Sequence, residues 1–295
     1  MTAVNDSRFV RHALLPALAV GILAVDGAAV AQTPPVPEPH VKVSLVAETL
    51  AIAADGKLQL ALRQEIRPGW HTYWVNPGDS GLTTTIEWKL PRGFSADPIA
   101  WPTPELFRSG MVVNYGYEGD VMLPMTIAVP AGLEPGAAVT LSGHANWLAC
   151  AEICVPESAD VAVTLPVTAG AVATDPRWAD RFQSARAAVP TENRYPASVT
   201  MDRDSIELHV AVDGADKLGE FRFFPFDDGV IDNGAEQRVE TAPDGITVKL
   251  ARGDLKAQKL DRLNGVLAFR EMAADGQSRR RAVAISVPAD AAVSR

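Results

Sequence analysis

The sequence predicts an all-β protein of two β-sandwich domains joined by a short helical linker. Two observations lead to this prediction. Short stretches in which apolar and polar residues alternate recur along the chain, and turn signals rich in Gly and Pro separate them. A stretch with helical spacing divides this series into two blocks, each long enough for one domain of ordinary size.

The first block of strands covers residues 40–167. Val41–Ala47 is rich in β-forming residues, and Ile86–Leu90 alternates apolar and polar positions. Turn signals such as Arg67–Gly69 and Glu134–Gly136, each with a central Pro, lie between such stretches. Short strands separated by turns of this kind are typical of an immunoglobulin-like sandwich.

Residues 168–197 are predicted to connect the two domains through a short helix. Asp175 is a suitable N-cap, and Pro176 occupies the first helical position, where its missing N–H costs nothing. Trp178 and Phe182 are four residues apart and therefore share one helix face. We expect this face to pack against one of the two domains.

The second block, residues 198–288, returns to strand patterns. Ile206–Val212, Ile246–Leu250 and Val283–Val287 alternate in the same way, and Asp-Gly and Asn-Gly pairs punctuate them. This block therefore predicts a second β-sandwich domain.

The N-terminus, residues 1–31, predicts a cleaved export signal. Basic residues precede the apolar run Ala13–Val25, and Ala29–Ala31 has the small-x-small pattern of a cleavage site. The run is shorter than the roughly 20 residues that a membrane-spanning helix needs, and residues 32–39 form a Pro-rich leader. We expect a mature chain without a membrane span, exported to an oxidising compartment in which disulfides persist.

The charge of the chain excludes two classes of partner. The formal net charge is −9, and no cluster of Lys and Arg interrupts this acidity. A basic patch is the usual footprint of a protein that binds nucleic acid or an anionic membrane. We therefore expect neither partner.

Cys150 and Cys154 are the only cysteines, and they allow a structural or a redox-active disulfide. In an extended strand their Cα atoms would be about 13 Å apart, so the intervening residues must curl before a disulfide can form. Closing so short a loop stabilises the fold by only about 2 kcal/mol, which weakens the structural reading. Glu152 lies between the cysteines and disfavours a thiolate, which weakens the redox reading.

Other chemistries find less support in the sequence. The cysteines could form a soft copper site with histidine or methionine, but the spacing matches no ligand signature. The C-x-x-C motif of thioredoxins, nucleophile elbows and phosphate-binding loops are absent from the sequence. We predict neither a metal nor a cofactor. The residues considered as copper ligands beside the cysteines are His40, His71, His144, Met122 and Met125.

An ordered set of motifs carries a resemblance to a known family. The set resembles the N-terminal periplasmic region of the DsbD family of transmembrane disulfide reductases. Within that family it is most similar to the ScsB-like branch, which has two immunoglobulin-like domains, and Phe223–Phe226 fits that branch. The motifs are Gly69–Gly81, Trp101–Pro104, Tyr115–Gly119, Leu123–Pro124 and Cys150–Pro156.

The resemblance implies thiol:disulfide interchange in the periplasm. Cys150 and Cys154 would be the exchanging pair, with Cys154 in the mixed disulfide. Because the sequence stops at Arg295, the electron donor is expected to be a membrane-embedded disulfide reductase on a separate chain. The acceptors would be disulfide isomerases or thioredoxin-like proteins of cytochrome c maturation or copper resistance.

The resemblance also implies residues that surround the cysteines. Tyr73 matches an aromatic residue beside the pair, Phe107 matches the aromatic residue of a mobile cap loop at residues 105–110, and Tyr115 is a further candidate for lining the site. Three residues separate the cysteines, whereas five are usual in the family. The alternative function is a non-catalytic binding or copper-handling module whose disulfide only shapes a loop.

Overall fold

A computed structural model describes most of the chain after the predicted leader. The predicted export signal and nearly all of the leader lie outside the described residues. The described residues from Pro39 onward form one compact unit. The described residues are 38–54, 56–212, 214–254, 260–273 and 276–291.

The first half of the chain is built from strands, as predicted. Two four-stranded sheets have the orders β1-β3-β9-β6 and β2-β11-β10-β5, and a three-stranded sheet has the order β4-β8-β7. The strands are β1 (Val41–Ala47), β2 (Ile52–Ala53), β3 (Lys57–Ile66), β4 (Thr72–Gly78), β5 (Thr85–Lys89), β6 (Ser95–Ala96), β7 (Glu105–Ser109), β8 (Val112–Tyr117), β9 (Asp120–Ala128), β10 (Ala138–Cys150) and β11 (Cys154–Thr168).

These sheets enclose one apolar core. Leu60 on β3 and Leu123 on β9 share it with Leu141 and Trp147 on β10, and the first three are fully buried. Alternate residues along each strand point to the same face of a sheet, which is why the alternating sequence pattern buries one face. The predicted sandwich architecture of this half is confirmed.

The predicted helix forms, but its regular part begins later than expected. Helix α1 spans Ala179–Ala188, because the Asp175 carboxylate accepts the backbone N–H of Arg177 at 2.9 Å and caps a preceding turn instead. Phe182 is fully buried, and together with Trp178 it packs against the first half. Among the described residues, no helix is long and apolar enough to cross a membrane.

The second half forms a single sheet that folds over on itself. Most of the last strand pairs with its predecessor, and its end, Ala289–Ala291, pairs with the far side of the sheet. Phe223 on β15 and Leu208 on β14, which lie on opposite sides of β19 in the sheet, share one core. The strands are β12 (Thr191–Glu192), β13 (Ala197–Met201), β14 (Ser205–Val210), β15 (Leu218–Pro225), β16 (Arg238–Ala242), β17 (Gly245–Ala251), β18 (Arg262–Met272) and β19 (Ser278–Ala291), with a 3-10 turn at Ala215–Lys217.

The two halves are joined by side-chain contacts. Phe224, Val266 and Ala268 of the second half enter the core of the first. The Asn76 side chain on β4 donates to the backbone carbonyl of Pro225 at 2.9 Å. The domain boundaries at residues 167 and 198 remain predictions, since from Pro39 onward the halves belong to one compact unit.

Candidate redox site

The two cysteines form a disulfide at the tip of the β10–β11 hairpin. They are the last pair of the ladder, with Cα atoms 4.1 Å apart, and Ala151–Ile153 make the connection between them. The Ala151 N–H donates to the Ile153 carbonyl at 3.0 Å, so the connection is a tight turn. The curl that the sequence requires for a Cys150–Cys154 bond is therefore a hairpin tip.

The environments of the two cysteines differ. Cys150 is 1% exposed, whereas Cys154 and the turn residues between them are exposed. The Tyr73 hydroxyl donates a hydrogen bond to Cys150 Sγ at 2.8 Å and lies 3.6 Å from Cys154 Sγ. An incoming thiol therefore has access to Cys154, while the sulfur of Cys150 is held inside by a hydrogen-bond donor.

His71 lies directly beside Cys150. The backbones of the two residues exchange two hydrogen bonds of 2.9 Å, which fixes the start of β4 against the end of β10. The imidazole meets the Tyr73 ring edge-on at 5.2 Å between centroids, and its buried Nε2 atom has no hydrogen-bond partner in the part of the chain that the structure describes. Burial lowers the pKa of His71, and the more distant charge of Glu118 opposes this only in part.

Phe107 belongs to the site because its ring packs against His71. Its ring stacks on the imidazole with centroids 4.7 Å apart and planes 9° apart. The segment predicted as a cap loop forms β7, Glu105–Ser109, which pairs with β8 in a hairpin whose tip residue Met111 is 94% exposed. The structure thus places an aromatic side chain near the cysteines on a strand, and the mobility of this segment remains a prediction.

Tyr115 lies at the contact between the two halves. Its ring is fully buried between Trp74 and Phe224, and its hydroxyl donates to Asn233 Oδ1 at 2.8 Å. Burial raises the pKa of the Tyr115 hydroxyl, so it stays a donor. Three aromatic residues were predicted around the cysteines. Tyr73 contacts both sulfurs, and Phe107 stacks on His71, which pairs with Cys150. Tyr115 contacts Phe224 and Asn233 of the second half.

A cavity of about 640 Å³ opens beside the disulfide. It lies between the hairpin tip and β7, next to the turn that joins the two cysteines. Ile153, at its edge, is 68% exposed, which is unusual for a large apolar side chain and suits contact with a partner. The lining includes Trp70, His71, Phe107, Arg108, Ala151 and Glu152.

Gly81 is a site residue for which the sequence reasoning proposed no role. It has φ +118°, and a Cβ atom added there would lie 2.3 Å from Cε1 of Tyr73. Because glycine has no Cβ atom, the backbone at this position can lie close to the Tyr73 ring, which contacts both sulfurs. The available signal was its position at the end of the aromatic-rich motif Gly69–Gly81, but the partner ring could not be read from the sequence.

Of the residues considered as copper ligands, His71 lies beside Cys150, and the others are dispersed in the fold. His40 stacks on Trp70 and bonds to Glu157, and His144 bonds to Asp160. Met122 packs beneath α1, and Met125 is in the core of the first half. In the described part of the chain, no group of three or more His, Cys, Asp or Glu is arranged to hold a metal ion.

Comparison with known proteins identifies the half that carries the cysteines. The family described as "Thiol:disulfide interchange protein DsbD, N-terminal" matches residues 38–166. This part of the chain is a DsbD N-terminal-like domain. Together with the Cys150–Cys154 bond, the match supports a thiol–disulfide exchange domain.

A solved structure supports the fold of both halves. The N-terminal periplasmic domain of ScsB from Proteus mirabilis superposes with a TM-score of 0.61 and 17% identity, covering 88% of this chain and 97% of that one. At this identity the likeness concerns the fold. The major pilin subunit of Bacillus cereus matches with a TM-score of only 0.26 and 14% identity, over 84% of this chain and 67% of its own. A search of curated proteins gave no match.

Proposed function

We propose that this chain is a periplasmic thiol–disulfide exchange protein whose Cys150–Cys154 pair relays electrons between two partners. The observation that carries the proposal is the asymmetry of the pair. Cys154 is exposed beside a cavity, and Cys150 is buried with its sulfur hydrogen-bonded to Tyr73. A disulfide that only closed a short turn would not need a buried phenol on one of its sulfurs.

The exchange proceeds in two balanced steps. A thiolate of the donor attacks Cys154 Sγ, the Cys150–Cys154 bond breaks, and Cys150 leaves as a thiolate that the Tyr73 hydroxyl stabilises. A second donor thiolate then attacks the donor sulfur of the mixed disulfide and releases Cys154. The donor ends as a disulfide, and this protein ends as a dithiol after gaining two electrons and two protons. The same steps in reverse reduce an acceptor.

The partners follow from the resemblance to the DsbD family. We propose a membrane-embedded disulfide reductase as the donor, and periplasmic thioredoxin-like proteins or disulfide isomerases as acceptors. The match to a DsbD N-terminal family and the predicted export signal support this assignment. The exposed Ile153 beside the cavity offers such partners an apolar contact.

The reduction potential of the pair tests the proposal. The protein is equilibrated in glutathione buffers, and free thiols are counted at each ratio. We expect a potential in the range of exchange proteins, between about −120 and −270 mV. A potential below about −300 mV is typical of structural disulfides. It would contradict the proposal and favour a disulfide that only shapes the hairpin tip.

Trapping distinguishes the roles of the two sulfurs. In Cys150→Ser the exposed Cys154 thiolate should attack a thioredoxin-like protein whose single active-site cysteine carries thionitrobenzoate as a mixed disulfide, which releases thionitrobenzoate and leaves a stable mixed disulfide between the two proteins. Cys154→Ser is the matched control, since it leaves the buried Cys150, and it should trap little. Equal trapping by both variants would contradict attack at Cys154.

A further inference from the structure

A second groove, of about 570 Å³, lies between the two halves of the chain. Glu105 and Leu106 of β7 form one side, and three arginines of the second half form the other: Arg222 on β15, Arg270 on β18 and Arg280 on β19. None of these residues belongs to the lining of the cavity at the disulfide. The groove is therefore separate from the exchange site.

The arginines continue the face of the sheet that packs on the first half. Phe224 and Ala268 lie on that face, within the core of the first half, and Ala282 packs against it. Each arginine is two residues from one of these apolar positions, so it lies on the same face of its strand. On this face of the sheet, the side chains are therefore apolar where they pack on the first half and positively charged where they line the groove.

Two of the arginines have partners. Arg270 Nε lies 2.6 Å from a carboxylate oxygen of Glu220. Arg280 donates to the carbonyl of Pro104 at 2.6 Å and lies over the Phe224 ring, 6.0 Å from its centroid. These contacts fix both guanidinium groups at the edge of the groove.

Arg222 has no partner among the described residues. Its guanidinium makes no hydrogen bond or ion pair there, and its Nη1 atom is buried. Burial lowers the pKa of Arg222, Tyr115 opposes this in part, and the positive charge of Arg108 acts in the same direction as burial. A buried donor without an acceptor is costly, and in a chain of net charge −9 carboxylates are plentiful. The lack of a counter-ion points to a ligand.

The backbone at the groove is irregular as well. Gly219 pairs with Arg270 and Arg222 with Ala268, so two residues of β15 oppose a single residue of β18 and form a bulge. Glu220, within the bulge, has φ 51°, a left-handed conformation that is costly for a residue other than glycine. The bulge directs Glu220 towards Arg270, and Arg222 is left without a carboxylate.

We propose that this groove binds a small oxyanion, a phosphate or a carboxylate, through Arg222 with Arg270 and Arg280 at its edges. The planar fork of a guanidinium matches both groups in a bidentate manner. The two glutamates and three arginines of the lining leave one positive charge, which a single anion neutralises. Leu106 and Phe221 add apolar surface that an organic carboxylate would contact.

Calorimetric titration of the full chain tests this site, with sodium phosphate and sodium succinate as separate probes at constant ionic strength. We expect saturable binding of at least one probe, weakened at least tenfold in Arg222→Gln. Arg203→Gln removes the same charge from an exposed turn and should bind as the wild type does. Binding of phosphate alone or of succinate alone assigns the class of oxyanion. No saturable binding of either probe, or equal loss in both variants, overturns the proposal.

Glu220→Gly provides a second test that does not depend on the folding of Arg222→Gln. Glycine adopts φ 51° readily, so the bulge should persist. The substitution removes the carboxylate that pairs with Arg270, and anion binding should become several-fold tighter. Unchanged or weaker binding would overturn the site.

Discussion

The Tyr73 hydroxyl lies 2.8 Å from Cys150 Sγ and 3.6 Å from Cys154 Sγ, so one phenol touches both sulfurs of the disulfide. Burial raises the pKa of Tyr73, which keeps the phenol protonated at neutral pH. The hydroxyl is therefore a fixed donor for the sulfur that leaves when a partner attacks Cys154.

Tyr73→Phe should raise the pKa of the Cys150 thiol in the reduced protein. A hydrogen bond to a charged group contributes about 1.5–3 kcal/mol, and its loss disfavours the Cys150 thiolate relative to the thiol. Exchange should slow by about tenfold, since 1.4 kcal/mol in a barrier is tenfold in rate. Ultraviolet absorbance of the thiolate against pH and the rate of reduction by a small dithiol measure both effects. Tyr117→Phe removes a buried phenol that donates to Pro102, and its exchange rate should be unchanged.

Gly81→Ala should disturb the same contact by displacing the Tyr73 ring. A methyl group there would meet the Tyr73 ring, and the positive φ adds a backbone cost of about 1 kcal/mol. We expect slower exchange together with a loss of stability. Gly132→Ala is the control, because it has φ +78° but no atom near its added Cβ. It should lose stability only; equal exchange rates in the two variants would show that the ring position is unimportant.

Phe107→Ala should open the cavity beside the disulfide. The ring stacks on His71, whose backbone is bonded to Cys150, so its removal widens the approach to the sulfurs. Reduction by a small thiol should accelerate several-fold. Met111→Ala, at the exposed tip of the same hairpin, should react as the wild type does. An unchanged rate in Phe107→Ala would contradict a shielding role.

The sequence predicted the strands and the turn between the two cysteines better than the contacts between distant segments. Val41–Ala47 was predicted at the residues where β1 forms, because alternation and turn residues are local signals. The curl between Cys150 and Cys154 followed from covalent geometry alone. The β-sandwich architecture therefore needed no tertiary information.

Tertiary contacts were beyond the sequence reasoning. Tyr115 was expected near the cysteines, yet its hydroxyl bonds to Asn233, 118 residues away in the chain. Helix α1 begins after Trp178, since the Asp175 carboxylate bonds within the preceding turn. The groove at Arg222 lies beside a bulge in which Glu220, and not the preceding Gly219, has the positive φ.

Acidification should weaken the fold through Glu157. Burial alone would raise the pKa of Glu157, but hydrogen bonds from the backbone and ring of His40, from Trp147 and from the Val41 N–H outweigh it and lower this pKa. The unfolded chain therefore takes up this proton first, at around pH 4.5. The contribution of Glu157 is present above that pH and is lost as the pH falls through the lowered value. Glu157→Gln should be less stable at neutral pH and lose less stability on acidification, as urea titrations at both pH values would show. The exposed Glu134→Gln is the control; a pH profile of Glu157→Gln equal to that of the wild type would contradict this role.

The Asn233 side chain should stabilise the contact between the two halves. Through strand β4, it should also stabilise the geometry of the exchange site. Its side chain accepts from Tyr115 at 2.8 Å and donates to Asp79 at 2.8 Å. Asn233→Ala leaves the buried Tyr115 hydroxyl without an acceptor, which costs about 1–3 kcal/mol. Because β4 carries both Tyr73 and Asn76, which donates to Pro225, we also expect a modest change in exchange rate.

Urea unfolding followed by circular dichroism and by tryptophan fluorescence measures this coupling. If the junction joins the halves, the wild type should unfold in one transition by both probes, and Asn233→Ala should shift or split it. Asn193→Ala, which removes only a local contact with Tyr195, should leave the transition in place. Two separate transitions in the wild type would show that the halves unfold independently and that the Asn233 contacts do not couple them. In that case the domain boundaries predicted at residues 167 and 198 would separate two parts of the chain that unfold independently.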